Sequence, residues 1–233
     1  MIKNHKKLLI LPILLNFATA VENEGKVELS YVNTSGNTQT TTLAADAEVK
    51  SKIDDIELKF KGSIIKSKDN NEESANKYEL ELQSSYMFTD NFYTYLGANY
   101  VKDEFSDYDS RLNIGPGLGY KFINTDEHLL DIKTGVDYSL DKYENGKKNE
   151  YAASKSELNY KYKIKEDIEF KQMVNYLVSM EDSEKYFVTS ESSVNIKMVG
   201  NLSLGVSYKV DYTNQTQKEK TDKKFLTSLI YDF

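Results

Sequence analysis

Three features of this sequence predict an all-β fold, a transmembrane antiparallel up-and-down β-barrel of about 12 strands with short periplasmic turns and longer outer loops. They are a two-residue alternation of apolar and charged side chains, an N-terminal export signal, and aromatic residues gathered at both ends of the apolar rows. The alternation is clearest from Tyr108 to Leu140. In one arm Leu112, Ile114, Pro116, Leu118, Tyr120 and Phe122 alternate with Arg111, Asn113, Gly115, Gly117, Gly119 and Lys121. After the turn INTDE, Leu130, Ile132, Val136 and Tyr138 alternate with Asp131, Lys133, Gly135 and Asp137. Side chains on a strand alternate faces, so this is a hairpin with one apolar and one charged face. Each arm is long enough to cross a membrane as a tilted strand.

The export signal occupies residues 1–20. Lys3, Lys6 and Lys7 form its positive start, residues 8–17 its apolar core, and Ala18-Thr19-Ala20 a small-residue cleavage site. The apolar run is too short for a spanning helix, and Pro12 interrupts it. The mature chain, residues 21–233, is expected to be one barrel domain. The sequence contains no Cys, so it has neither a lipid-anchored cysteine nor a disulfide framework. No later segment has the apolar length of a membrane-spanning helix.

A period of two gives strands near 26–33, 39–51, 56–67, 76–88, 92–102, 108–122, 128–141, 151–164, 167–180, 185–198, 201–213 and 222–233. Connections alternate in character. Those at 52–55, 89–91, 123–127, 165–167 and 199–201 are tight, whereas KDNNEESA (68–75), KYENGKKNE (142–150) and NQTQKEKT (214–221) are strongly polar and read as outer loops. An even strand number then leaves both termini on the short-turn side.

Charged residues make up 29% of the chain and mean hydropathy is −0.60, yet 18 Tyr and 10 Phe argue against disorder. Barrels that span membranes are polar on average because only alternate residues meet lipid. A soluble ligand-binding barrel would turn the apolar rows inward. Barrels of about eight strands already have filled interiors, so a larger ring with an apolar interior would enclose a dry void. The outward direction is therefore expected. Phe88, Phe92, Tyr120, Phe122, Phe170, Tyr231 and Phe233, with Tyr86 and Tyr162, cluster at the short-turn ends. Tyr78, Tyr100, Tyr108, Tyr138, Tyr176, Tyr186 and Tyr208 cluster towards the loop ends. Two belts around an aliphatic band suit lipid headgroup interfaces. The last strand alternates Leu229, Tyr231 and Phe233 to its end, which resembles the assembly signal of outer-membrane barrels.

The chain resembles the salt-induced outer-membrane protein family, a Gram-negative β-barrel family of unknown function, from about Gly25 to Phe233. The resemblance is carried by Tyr31-Val32-Asn33-Thr34-Ser35-Gly36-Asn37-Thr38, Lys77-Tyr78-Glu79-Leu80, Phe88-Thr89-Asp90, Asp103, Phe105 and Tyr108-Asp109. It continues through the glycines of Gly115–Gly119, Thr125-Asp126, Gly200-Asn201-Leu202, Lys220-Thr221-Asp222 and Tyr231-Asp232-Phe233. The sequence departs from the family pattern in lacking Trp and a Pro/Gly-rich insert in the last outer loop. The resemblance implies an outer-membrane location and barrel architecture, and no defined activity. The expected partners are outer-membrane lipid and, during biogenesis, periplasmic chaperones and the barrel-assembly machinery.

Catalytic and cofactor chemistry find little support. His128, the one histidine after the export signal, lies at a turn beside Glu127 without a serine partner in sequence, as a solvated turn residue would. No metal-ligand or calcium-loop spacing occurs, and no helix follows Gly115–Gly119 to make a phosphate loop. Those glycines are expected to give a bend or room for neighbouring tyrosines, with Pro116 at a bulge. No enzyme, cofactor or metal is expected, and a formal net charge of −7 disfavours nucleic acid. The polar face is the informative feature: its mixed charges suggest cross-strand pairs in a wet lumen. Arg111, Asp109, Asp137, Lys133 and Asp131 form the candidate lumenal cluster, in which Arg111 is expected to pair with Asp137 or Asp109. The expected function is a narrow channel for small hydrophilic solutes with mild cation preference, the alternative a sealed barrel with a structural or surface role.

Overall fold

A computed structural model describes residues 22–34 and 39–233. The export signal, with Ala18 and Ala20, lies outside the described residues. The strands are β1 (Glu22–Thr34), β2 (Thr40–Ile53), β3 (Ile56–Asp69), β4 (Glu72–Met87), β5 (Phe92–Asp103) and β6 (Tyr108–Asn124). They continue as β7 (His128–Tyr143), β8 (Lys148–Lys165), β9 (Ile168–Ser179), β10 (Tyr186–Val199), β11 (Leu202–Thr213) and β12 (Thr221–Asp232). Each strand pairs antiparallel with its sequence neighbours, and β1 pairs with β12, so the sheet closes as an up-and-down barrel. Closure satisfies the edge groups that an open sheet would leave unpaired in hydrocarbon.

The closing seam is short. β1 and β12 match from Lys26↔Asp232 to Ser30↔Ser228. Gly25 and Phe233 add a reciprocal pair, each N–H donating to the other's carbonyl at 2.7 and 2.8 Å. The Phe233 ring lies over Gly25 so closely that a Cβ there would come within 2.3 Å of it. This explains glycine at a seam position.

The apolar rows point outward. Leu80, Leu82, Leu96, Ile114 and Leu118 are exposed, while Asn113, Lys133, Asp137 and Ser139 on alternate positions are buried within the ring. At the end that holds the termini, Tyr86 packs on Phe88 and Phe88 on Phe92, with Tyr120 on Phe122 and Tyr231 on Phe233. Phe170 sits half-buried in the same row. At the far end Tyr176, Tyr186 and Tyr212 form a run of neighbouring rings.

Two expectations need correction. The polar runs 68–75 and 142–150 are mostly strand: β3 and β4 meet at Asn70-Asn71, and β7 and β8 are separated only by residues 144–147. Positive φ at Asn70 and Asn71 (49° and 68°) permits the tight turn. Polar strand ends clear of lipid carry no apolar alternation, so a hydrophobic period ends before the strand does. The second correction is Tyr108, expected in the outer belt but buried and inward. A β-bulge between Tyr108 and Ser110 flips the alternation there.

Candidate functional site

The lumen is the candidate site, and its shape begins with the glycines of β6. A Cβ on Gly117 would lie 2.3 Å from the Tyr95 ring, and one on Gly119 would lie 2.1 Å from the Tyr93 ring. Both tyrosines come from neighbouring β5 and lie flat across β6 in the trough that these glycines leave. The Tyr93 hydroxyl donates to Asp131 of β7, at 2.8 and 2.9 Å to its two oxygens. The room expected around these glycines is thus filled by two inward tyrosines. Sequence reading missed both, because they alternate in phase with the polar face.

Mid-lumen charges are paired. Lys133 of β7 meets Glu157 of β8 at 2.7 Å and donates to Gln83 of β4 at 3.2 Å, crossing two intervening strands. Lys59 of β3 meets Glu81 of β4 at 3.1 Å. Lys77 of β4 and Asp211 of β11 meet at 3.1 Å from nearly opposite sides of the ring. Asp211 also accepts from Thr189 at 2.8 Å. Such pairs satisfy charges that a narrow, poorly hydrated lumen would otherwise leave costly.

Arg111 faces the lumen, but with a different partner from those expected. Its Nε donates to Asp141 Oδ1 at 2.6 Å, and Asp141 is fully buried. The β6–β7 turn spans Thr125 to His128, further along than a turn centred on Thr125. The register therefore becomes Arg111↔Asp141 and Asn113↔Ser139. Asp137 is buried beside Gly115 and is not the Arg111 partner. Asp109, displaced by the bulge, pairs instead with Lys102 at 3.3 Å and Lys142 at 3.1 Å, which continue the outward rows of β5 and β7. Asp131 and Lys133 line the lumen lower down. Lys185, from the β9–β10 connection, reaches in to Asp141 at 2.7 Å, and Tyr151 donates to the same carboxylate at 3.1 Å. The Arg111 guanidinium lies 3.3 Å above the Phe187 ring of β10, and the Tyr108 ring, set edge-to-face against Phe187, is 4.6 Å away. Its planar, delocalised charge suits that stacking.

Above this cluster, residues 214–220 form a strap across the far mouth. Asp107 accepts from Thr216 Oγ1 and from the Gln217 N–H, while Lys218 Nζ reaches the Ser106 carbonyl at 3.1 Å and Glu144 at 2.7 Å. Burial works against the Asp107 charge, but these hydrogen bonds and the Lys218 ammonium outweigh it and hold its carboxyl below the usual range. The strap roofs a cavity of about 180 Å³ lined in part by Arg111, Phe187, Lys77 and Asp211. At the terminus end a second cavity of about 540 Å³ is lined by lysines and carboxylates, among them Lys161 and Lys171, both paired with Glu169. The two cavities share no lining residue, and the Lys133–Glu157 and Lys59–Glu81 pairs line neither of them.

His128 stacks on Tyr162 with ring centroids 4.5 Å apart, and its Nδ1 is 2.9 Å from the Tyr160 hydroxyl. This is a packing arrangement with no nucleophilic serine in it. Among the described residues, no group of three or more His, Asp or Glu side chains is placed to hold a metal ion.

The family described as "Protein of unknown function, DUF481" matches residues 27–233. An uncharacterized protein from Escherichia coli (strain K12), YdiY, is 25% identical over 211 residues, covering 89% of this chain and 82% of that one. Among solved structures, the COG4313 outer membrane channel from Pseudomonas putida F1 is similar with a TM-score of 0.54 and 9% identity, covering 90% of this chain and 94% of that one. The NanC porin is similar with a TM-score of 0.51 and 12% identity, covering 89% and 97%. These structural likenesses establish a porin-like barrel fold.

Proposed function

We propose, starting from the fact that the chain belongs to the DUF481 family, that it is an outer-membrane channel for small hydrophilic solutes with a mild preference for cations. The observation that carries this reading is the division of the closed ring into outward apolar rows and a charged lumen with a cavity at each end. The two aromatic belts would sit at the headgroup interfaces, with the termini towards the periplasm after cleavage of the export signal. Leu229, Tyr231 and Phe233 would present the assembly signal on β12, where β1 closes the ring. The cation preference rests on the acidic balance of the chain, softened by inward lysines and by salt screening. Non-enzymatic transport fits a lumen whose polar groups are paired rather than arranged as nucleophile and base.

A sealed barrel with a surface role is the second reading, favoured by one observation: the strap at residues 214–220 and the Lys77–Asp211 bridge both lie across the route. Purified protein in a planar bilayer under a potassium chloride gradient separates the two. Reproducible steps with a cation-signed reversal potential support the channel. Electrical silence from protein shown to be inserted supports the sealed barrel.

A further inference from the structure

The outward surface is not uniform around the ring. Over β4 to β6 it presents Leu80, Leu82, Leu96, Ile114 and Leu118, all exposed. Over β7 to β10 the equivalent rows interleave aliphatic residues such as Val136 and Val174 with Thr134, Ser154, Ser156, Gln172, Ser190 and Ser192. Gln172 lies two residues from the belt aromatic Phe170 and four from Tyr176, so it falls between the aromatic belts. Its Nε2 donates to Ser190 Oγ at 3.0 Å and to the Met173 carbonyl at 2.9 Å, while Ser192 Oγ donates to its Oε1. Next to this group, Thr134 pairs in register with Ser156 and shares a 3.5 Å hydroxyl contact with it.

We propose that this face is an interface with a second copy of the same chain. The inference rests on the membrane placement given above, because only hydrocarbon makes the face anomalous. Lipid chains offer no hydrogen bond, so an amide and five hydroxyls within the apolar band are costly unless protein covers them. The local network does not use all their capacity. Among the described residues, the Ser190 hydroxyl proton has no acceptor, the Ser154 side chain makes no hydrogen bond, and Gln172 Oε1 accepts only from Ser192.

The chemistry selects the occupant. Amide and hydroxyl groups each both donate and accept, so the patch is complementary to itself, as a two-fold interface requires. A charged partner finds no opposite charge here. Small side chains at Ser154, Ser156, Ser190 and Ser192 also let two sheets approach closely, the usual feature of contacts between membrane-embedded elements. The Gln172 amides of two copies would meet near the two-fold axis.

The natural sequence has no Cys, so single-cysteine variants report the contact without background. Ser192→Cys and, on the opposite face, Leu96→Cys are compared in native membranes with a short bis-maleimide reagent. Heat-modifiable electrophoresis confirms folding, and membrane fractionation confirms insertion. The expected result is a band of twice the monomer mass for Ser192→Cys and at least five-fold less of it for Leu96→Cys. The Gln172→Leu exchange, placed in the Ser192→Cys background, is expected to reduce the doubled band at least three-fold while the protein stays folded. An inserted, folded protein that gives only monomer overturns the proposal, as does equal crosslinking at both sites. A Ser192→Cys adduct with a polypeptide of different mass overturns it in favour of a hetero-partner. Protein in the soluble fraction instead overturns the membrane placement itself.

Discussion

Lys77 Nζ and Asp211 Oδ2 meet at 3.1 Å, joining β4 to β11 across the barrel rather than along its wall. A contact of this kind sets the width and the sign of a narrow lumen together. Lys77→Ala removes the bridge and one positive charge; it is expected to enlarge the single-channel current and raise the cation-over-anion permeability ratio roughly two-fold. Asp211→Asn is expected to move the ratio the opposite way. Reversal potentials in asymmetric salt read both, and identical ratios in the two variants would refute the assignment.

The strap over the far mouth is latched by the Asp107 carboxylate, whose pKa is lowered from the ordinary 3.8. A lowered folded-state value means the latch is complete above the ordinary carboxylate range and is lost as pH falls through the lowered value. Strap behaviour should therefore be constant from neutral pH down to about 5 and change only below about 4. Asp107→Asn at neutral pH is expected to reproduce the acid state. Amide hydrogen exchange over residues 213–220 should then quicken roughly five-fold, in keeping with loss of a charged acceptor on an exposed loop. Unchanged exchange would mean that other contacts hold the strap.

Gly117 and Gly119 are tied to Tyr95 and Tyr93 by contact distances that no side chain can share. Gly119→Ala is expected to destabilise the barrel by about 1–3 kcal/mol through overpacking. Tyr93→Ala in the same chain should recover part of the loss by clearing the ring, although it also frees Asp131. The temperature at which the folded, fast-migrating form disappears in detergent gels measures both.

Arg111 and Asp141 form a buried ion pair at the far end, and Lys185 shares the same carboxylate. Arg111→Met keeps the volume packed against Phe187 and Tyr108 but leaves Asp141 with one cation. A destabilisation of about 2–4 kcal/mol is expected, somewhat below that of a wholly unpaired buried charge. Combining it with Asp141→Asn should cost less than the two single changes added together, which the same gel assay can test.

The architecture was legible in the sequence because lipid outside and water inside impose a strict period of two. The outward leucines of β4 and β6, and the aromatic ends of β5 and β12, follow from that period directly. Register was not legible. The partner of Arg111 depends on where the Thr125–His128 turn closes, and the orientations of Tyr108 and Asp109 depend on one bulge. Both are local backbone choices that leave the hydrophobic pattern almost unchanged. Loop lengths failed for a related reason: Lys68 and Glu73 are polar whether they lie in strand or in loop. Cross-lumen contacts such as Lys77–Asp211 join strands distant in the chain and leave no trace in local spacing.

Spin labels on β4 test whether the alternating rows divide lipid from water. Labels replace Leu80, Leu82, Glu79 and Glu81 one at a time in the cysteine-free chain, reconstituted in phospholipid vesicles. Relaxation by oxygen, which concentrates in hydrocarbon, is compared with relaxation by a water-soluble nickel chelate. Oxygen is expected to dominate at 80 and 82 and to fall at 79 and 81. The same accessibility at all four positions, or nickel dominance at 80 and 82, would contradict that division.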